Sequence, residues 1–335
     1  MRCKVFFRAD GSSRIGLGHI VRCMALAHML KSEFQIHFVC KEVTSELKNE
    51  LIKEGFHLNK IASEEEFFAV LTGAEIVVLD HYGLDTSYQK QVKKKGSKLV
   101  CIDDLHDKEF VADLIINHSP GVGIDDYKTQ AHTIFALGPA HALLRPVFFK
   151  ETSEKRVIKG VENLLVCFGG SDYENLTGRV LDVVMDLKNI KKIRVVLGSA
   201  NQHYFTLTKS YINNKRIELL SSLNDVEMCE IMKISDVAIV PSSGVFFEVV
   251  ATGCIPLVCY YADNQKKLFT FLRENTRIPT FDAFAPIGEE LPSLMVKLCK
   301  KPEAYSNFSM KEEVRQSPHL HLKNFISLRN QLISS

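Results

Sequence analysis

Short apolar runs alternate along the chain with stretches whose apolar residues recur at the spacing of a helix face. The runs in the first half predict strands at Lys4–Arg8, Gln35–Cys40, Glu75–Asp80, Leu99–Asp103 and Leu114–Asn117. Those in the second half predict strands at Leu164–Phe168, Arg194–Leu197, Ile217–Leu220, Val237–Val240 and Leu257–Tyr260. Continuous apolar strands separated by helices are typical of parallel sheets that are covered on both faces. The pattern therefore predicts an α/β protein with two doubly wound, Rossmann-like sheets.

The two series of strands favour two domains within the 335 residues. The charged segment Phe149–Gly160 has no core pattern and separates the two series. We therefore expect an N-terminal domain over residues 1–150, a C-terminal domain over 160–300, and a helical tail over 301–335 that packs back onto the first domain. Ligands of such sheets bind beyond the carboxyl ends of the strands, so functional residues are expected in the loops that follow them.

The composition is that of an ordinary globular protein, with 46% hydrophobic and 24% charged residues and a net charge of +2. This balance argues against nucleic acid as a partner. We find no signal peptide and no apolar stretch of membrane-spanning length, so we expect a cytoplasmic protein without stable membrane association. The nine cysteines are scattered and fit buried thiols better than a disulfide framework or a zinc site. We expect no metal and no cofactor, and a monomer.

The first predicted strand is followed by a glycine-containing turn and a helix that begins near His19, in the sequence RADGSSRIGLGH. Gly16 and Gly18 match part of the dinucleotide fingerprint, but Val21 occupies the third glycine position, which weakens that interpretation. The turn still offers backbone N–H groups and the positive end of a helix dipole to an anion. A neutral histidine there can take a proton from water or an alcohol. Alternatively, His19 caps its helix or packs in the core.

The sequence FGGSD repeats this arrangement in the second domain. The glycines, Gly170 among them, allow a phosphate to approach the backbone, and Ser171 can donate a hydrogen bond. The alternative is a plain tight turn in which Asp172 caps the next helix. Two such loops in corresponding places suggest that one anionic ligand lies in a cleft between the domains.

Two later segments offer groups that can bind a nucleotide. Glu248 follows the loop PSSGVFF and can bind a ribose diol with both oxygens, or it can simply favour the N-terminus of its helix. Asn264 and Gln265 follow a strand and can bind a base or a sugar through their amides. Alternatively, this pair is a cap and a surface residue.

The sequences DHYGLD and IDDL place polar groups after two further strands. Tyr82 is best placed to reach an acetamido group or a phosphate. Asp80 and His81 can instead bind each other as a structural pair. The carboxylates of Asp103 and Asp104 can hold a metal or do acid–base work, but we favour Asp104 as a cap of the next segment.

These motifs, in this order, resemble the UDP-sugar hydrolases of pseudaminic acid biosynthesis (the PseG family). The sequences that carry the resemblance are RADGSSRIGLGHIVRCMALA, DHYGLD, CIDDL, LGPAHALLRPVF, FGGSDYENLT and the late E…NQ. It implies a GT-B fold and metal-independent hydrolysis of UDP-2,4-diacetamido-2,4,6-trideoxy-β-L-altropyranose to UDP and the free sugar. It implies that His19 is the base for inverting attack of water on the anomeric carbon. The expected substrate-binding residues are Gly16, Gly18, Tyr82, Gly170, Ser171, Gly244, Glu248, Asn264 and Gln265.

The chain departs from the family pattern at two places. Tyr173 stands where many members have proline, and the loop before Glu248 contains the bulky residues Val245, Phe246 and Phe247. Three alternatives remain open at this point. The chain can be a GT-B glycosyltransferase that uses a UDP-sugar donor and an alcohol acceptor, a hydrolase of a UDP-sugar with other stereochemistry, or a sugar-nucleotide sensor without turnover.

Overall fold

The computed structural model of the chain describes residues 2–12, 15–170, 172–198, 201–305 and 309–334. Its strands are β1 (Lys4–Ala9), β2 (Gln35–Cys40), β3 (His57–Lys60), β4 (Ile76–Asp80), β5 (Lys98–Ile102), β6 (Glu109–Phe110), β7 (Leu114–Asn117), β8 (Lys128–Thr129), β9 (Ile134–Leu137), β10 (Asn163–Val166), β11 (Lys192–Leu197), β12 (Ile217–Ser221), β13 (Val237–Pro241) and β14 (Ile255–Cys259). Its α-helices are α1 (Gly18–Leu30), α2 (Ser45–Lys53), α3 (Glu64–Val70), α4 (Thr86–Lys94), α5 (Pro146–Glu151), α6 (Leu176–Val184), α7 (Tyr204–Tyr211), α8 (Asp225–Lys233), α9 (Gly244–Thr252), α10 (Lys266–Asn275), α11 (Ile287–Lys300), α12 (Ser309–Arg315) and α13 (Ser317–Ile333).

The chain divides into two compact units, which we call unit 1 (Met1–Pro146 with Gln316–Ser335) and unit 2 (Val147–Arg315). The last helix, α13, packs against α1 within unit 1, where the rings of Phe34 and Phe325 lie 6.1 Å apart. Ser317 donates a hydrogen bond to the carbonyl of Ala142 at 2.7 Å. This helix therefore completes the core of unit 1.

The sheet of unit 1 has the strand order β3-β2-β1-β4-β5-β7-β9, with neighbouring strands parallel. Both faces are buried because alternate residues of each strand enter different clusters. Val5 and Phe7 pack in the cluster that contains α1, whereas Phe6 packs in the cluster that contains Phe67. The strand order reverses between β1 and β4, and ligands of doubly wound sheets bind at such a switch point.

The sheet of unit 2 has the order β12-β11-β10-β13-β14, again with neighbouring strands parallel. Leu164, Val166 and Ile239 pack in one buried cluster with residues of α6 and α11. Here the switch point lies between β10 and β13. The loops FGGSD and PSSG leave these two strands, so both motifs lie at the carboxyl edge where ligands of this fold bind.

The ten strands predicted from apolar runs are all present, with ends within two residues of the predicted ones. The pattern missed the two edge strands of the first sheet, β3 and β9, and the two-residue strands β6 and β8, which pair with each other. Three of the four β3 residues are exposed, and β9 buries only Ala136. An edge strand faces solvent on one side and does not need a continuous apolar run.

Candidate active site

The turn from β1 to α1 leaves the N-terminal end of a helix open beside a histidine. Gly16 has a φ of +90°, which favours glycine. A side chain at Gly18 would meet no atom of the described residues within 4 Å. Leu17 stands at the N-cap position and has no polar side chain to cap the first N–H groups of α1. The turn can therefore present N–H groups to an anion, and it places His19 second in the helix.

His19 is 6% exposed and is held by a carboxylate from the neighbouring strand. Its Nδ1 lies 2.6 Å from Oδ1 of Asp80, the last residue of β4. Asp80 is fully buried, and the Arg22 guanidinium binds both of its oxygens at 2.5 Å. The reversal of strand order brings β1 and β4 together and so creates this contact.

The charge of Asp80 determines which nitrogen of His19 carries the proton. Burial alone would raise the pKa of Asp80, but the Arg22 charge and the hydrogen bonds from Arg22 and His19 outweigh it and lower the pKa to about 2. The ionised carboxylate can only accept, so Nδ1 of His19 donates and Nε2 keeps its lone pair. Arg22 Nη2 also lies 3.3 Å from Nδ1, but the shorter contact to the carboxylate decides the assignment. This arrangement would let Nε2 of the neutral ring accept a proton.

Arg22 connects this pair to a second carboxylate and to Tyr82. Its Nη1 donates to Oδ2 of Asp104 at 2.9 Å, and the Tyr82 hydroxyl donates to the same oxygen at 3.1 Å. The Tyr82 ring stands edge-on to His19 with centroids 4.5 Å apart. Arg22 is not among the residues predicted for the site, although its position three residues after His19 on one helix face was a usable signal.

Two structural alternatives from the sequence are wrong. Asp80 does not pair with His81, whose Nε2 instead lies 3.5 Å from Asp10. Asp104 binds Arg22, whereas Asp103 accepts the backbone N–H of His106 at 3.0 Å. Asp103 therefore stabilises the following turn, whereas Asp104 belongs to the group of side chains around His19 through its bonds with Arg22 and Tyr82.

The N-terminus of α6, in unit 2, is already capped by side chains of the chain itself. Asp172 accepts the N–H groups of Leu176 and Thr177 at 2.7 and 3.0 Å. Asn175 accepts the N–H of Gly178 at 3.2 Å. The alternative in which Asp172 acts as a cap is therefore correct. The start of α6 cannot also offer these N–H groups to a phosphate.

The loop before α6 can still contribute backbone from its glycines. A side chain at Gly170 would meet no described atom within 4 Å, so this position faces open space. Ser171 lies outside the described residues. Gly198, which the sequence analysis did not single out, packs so closely that a Cβ there would overlap the backbone of Gly169 and Gly170. Its lack of a side chain sets the position of the loop.

The N-terminus of α9 is an open helix end that follows the central strand β13 of unit 2. Ser243, at its N-cap position, makes no capping hydrogen bond with its side chain, and a side chain at Gly244 would meet no described atom within 4 Å. Glu248 is 8% exposed, one turn further along the helix. An anion at this end would meet free N–H groups and the helix dipole.

Gln265 is more deeply engaged in the fold than the sequence indicates. It is 6% exposed, and its Oε1 accepts the N–H of Tyr261 at 2.9 Å. The Tyr261 hydroxyl donates to the carbonyl of Phe168 at 2.8 Å, and Ser242 Oγ donates to the carbonyl of Gln265 at 2.9 Å. These bonds join the loops after β10, β13 and β14, with Asn264 in the same short turn.

The structure thus groups the predicted residues at two sheet edges. Gly16, Gly18, His19 and Tyr82 gather in unit 1, and Gly170, Gly244, Glu248, Asn264 and Gln265 follow strands of unit 2. In the described part of the chain, no set of three or more His, Cys, Asp or Glu side chains is placed to hold a metal ion. Among the described helices, none is long and apolar enough to cross a membrane.

Comparison by sequence finds no matching family model. It does find three relatives that are 26–27% identical to this chain. The chain is 27% identical over 280 residues to the UDP-2,4-diacetamido-2,4,6-trideoxy-β-L-altropyranose hydrolase of Campylobacter jejuni, covering 80% of this chain and 96% of that protein. It is 27% identical to the spore coat polysaccharide biosynthesis protein SpsG of Bacillus subtilis, covering 77% of each. An uncharacterised protein of Methanocaldococcus jannaschii is 26% identical, and the match spans 79% of this chain but 57% of that protein.

Comparison with solved structures shows the fold. MurG of Acinetobacter baumannii superposes with a TM-score of 0.62 at 12% identity, covering 99% of this chain and 100% of that one. A UDP-glucosyltransferase of Polygonum tinctorium gives a TM-score of 0.68 at 11% identity, covering 98% and 99%. The chain has the GT-B fold with two Rossmann-like domains, and by sequence it is similar to the UDP-2,4-diacetamido-2,4,6-trideoxy-β-L-altropyranose hydrolase of C. jejuni and to SpsG.

Proposed function

We propose that the chain is an enzyme that hydrolyses a UDP-sugar, with His19 as the general base. The observation that carries this proposal is the bond from His19 Nδ1 to Asp80, because it leaves Nε2 as a proton acceptor at the switch point of the first sheet. The similarity to the C. jejuni hydrolase supports UDP-2,4-diacetamido-2,4,6-trideoxy-β-L-altropyranose as the substrate. The products are then UDP and 2,4-diacetamido-2,4,6-trideoxy-L-altrose.

In the proposed step, a water oxygen attacks the anomeric carbon from the face opposite UDP. The bond from that carbon to the diphosphate oxygen breaks, and its electron pair leaves with UDP. Nε2 of His19 takes the proton from the water, and the sugar configuration inverts. The carboxylates of Asp80 and Asp104 outnumber the one guanidinium of Arg22, and this negative surplus favours the positive charge that develops on the sugar.

We assign binding of UDP to unit 2. The free N–H groups at the start of α9 and the backbone near Gly170 stabilise the leaving diphosphate, so no metal is required in this proposal. Glu248 binds the ribose diol, and the amides of Asn264 and Gln265 complete the nucleoside contacts. We place the reaction in pseudaminic acid biosynthesis in the cytoplasm, carried out by a monomer without a cofactor.

The test is UDP release from this substrate by the purified chain, with and without EDTA. We expect turnover by the wild type in both conditions, a product of inverted configuration, and a loss of at least about 100-fold in His19→Asn. Turnover only after an alcohol acceptor is added would instead identify a glycosyltransferase. Binding of the UDP-sugar without any turnover would identify a sensor and refute the proposal.

A further inference from the structure

We propose that a neutral, buried His321 holds the last helix, α13, on unit 1, and that uptake of a proton by this histidine in mildly acidic solution releases α13 while the sheet of unit 1 stays folded. The release does not depend on the proposed hydrolysis, because it requires no substrate.

His321 lies where α13 packs against a short 3₁₀ turn, Pro139–His141, and it is 0% exposed. Its Nε2 lies 3.0 Å from the carbonyl oxygen of His141. A carbonyl oxygen only accepts, so Nε2 carries the proton and Nδ1 keeps its lone pair. Nδ1 has no hydrogen-bond partner among the described residues. The ring therefore fits this place in its neutral form, since a proton on Nδ1 would bury a charge without an acceptor.

The groups whose charge acts on His321 are other histidines. The ring of His141 stands edge-on to it with centroids 5.3 Å apart, and Nδ1 of His141 is also buried without a partner among the described residues. His118, which follows β7, is the second such group. A proton on either neighbour would add a further positive charge, so neither ring can offset a charge on His321.

The other ionisable groups on the elements packed against α13 have partners of their own. The pairs are His19 with Asp80, Arg22 with Asp80 and Asp104, His28 with Glu54, and Glu33 with Arg329 of α13 itself. Arg22, Asp80 and Asp104 also act on His118. On α13, His319 and Lys323 are exposed. Within the part of the chain that the structure describes, no acid is placed to compensate a protonated His321.

Burial lowers the pKa of His321 to about 3, and the charges of His141 and His118 lower it further, against the effect of the bond to the His141 carbonyl. Burial also lowers the pKa of His118 to about 4 and lowers that of His141. On a released helix, His321 would titrate near its ordinary pKa of about 6.5. The released state then binds more protons, so the attachment of α13 is strongest above pH 6.5 and weakens as the pH falls. From His321 alone, the equilibrium constant for release should rise roughly 100-fold between pH 7.5 and pH 4.5.

The way α13 is attached favours its release as a unit. The helix makes its own backbone hydrogen bonds and adds no strand to the sheet. Its release breaks side-chain contacts, such as that of Phe34 with Phe325 and the bond from Ser317 to the Ala142 carbonyl. The ladders of the sheet are unaffected, so local opening can precede global unfolding.

The experiment measures backbone amide hydrogen exchange in the full chain between pH 7.5 and pH 4.5, with rates corrected for the chemical effect of pH on exchange. It compares the wild type with His321→Gln, whose side-chain amide can donate to the His141 carbonyl but takes up no proton. We expect the opening constant of α13 in the wild type, divided by that in the variant, to rise roughly 100-fold over this range. Amides of β1 and β4 in the same samples should stay protected.

His319→Gln is the matched control, because His319 is an exposed histidine of the same helix. Exchange of α13 in this variant should follow the wild type at every pH. Since the readout is a change with pH, a variant whose helix is looser at all pH values still tests the proposal. If His321→Gln does not fold, the wild type alone decides, because its opening constant should rise up to about tenfold per pH unit below pH 6. A ratio, or a wild-type opening constant, that does not change with pH would overturn the proposal, and so would equal opening of α13 and β1 at pH 4.5.

Discussion

Replacing Asp80 by asparagine should disable the base while leaving the fold in place. Asp80 holds Nδ1 of His19 at 2.6 Å, and its ionised form dictates that Nδ1 carries the proton. An asparagine amide is nearly the same size but can donate to Nδ1 through its NH2 group. His19 would then carry its proton on Nε2, the atom that must accept one from water.

The expected loss in kcat is on the order of 10²–10⁴. General-base catalysis contributes about 10²–10⁴-fold, and the same exchange in the serine-protease triad, which also imposes the wrong tautomer, lowers kcat by about 10⁴. The exchange also removes the buried partner of an ion pair with Arg22, whose own side chain is 15% exposed. That change should cost on the order of 3 kcal/mol of unfolding free energy.

The assay is UDP release at saturating substrate, together with urea unfolding of each variant. Asp113→Asn is the matched control, because Asp113 is also buried and binds Lys93 at 2.5 Å. It should lose stability to a similar degree without losing kcat. In a His19→Asn background, Asp80→Asn should lower kcat no further. A folded Asp80→Asn variant within tenfold of wild-type kcat would refute the reasoning.

Further predictions concern stability and UDP binding. Because the pKa of Asp80 is lowered from 3.8 to about 2 in the folded state, its stabilising contribution is present above pH 4 and is lost as the pH falls toward 2. Unfolding free energies at pH 6 and pH 3 should therefore differ more in the wild type than in Asp80→Asn, and an equal difference would contradict this. Gly198→Ala should weaken UDP binding about tenfold in calorimetry by displacing the loop at Gly170, whereas Gly288→Ala, at an open position, should not. Glu248→Gln should abolish a preference of about tenfold or more for UDP over 2′-deoxy-UDP, and a preference that survives would remove Glu248 from the ribose site.

Much of the fold could be predicted because buried parallel strands need continuous apolar runs on both faces. Phe6 and Phe7 point to opposite clusters, and both are buried. The edge strands β3 and β9 were missed because their faces are only partly covered, so most of their residues are exposed or half-buried and form no apolar run. The position of His19 at a helix start could also be predicted, since the glycines before it and the apolar face after it are local signals.

The partners of His19 could not be predicted in the same way. Asp80 lies 61 positions away along the chain, and only the order of strands in the sheet brings it to the histidine. The same holds for Asp104, which looked like a cap because acids after strands usually are. In unit 2, the sequence alone did not decide whether Asp172 or a ligand would use the start of α6. The structure shows that Asp172 does, whereas the start of α9 has no side-chain cap.

In the proposed mechanism, a water molecule activated by His19 attacks the anomeric carbon of the sugar. The most direct test is hydrolysis of UDP-2,4-diacetamido-2,4,6-trideoxy-β-L-altropyranose in water enriched in oxygen-18, with EDTA present, by the wild type and by His19→Asn. The proposed mechanism predicts UDP release by the wild type alone, with the heavy oxygen on the sugar. Heavy oxygen on UDP would mean attack at phosphorus, and undiminished turnover by His19→Asn would mean that another group is the base. Either result would refute the proposed mechanism.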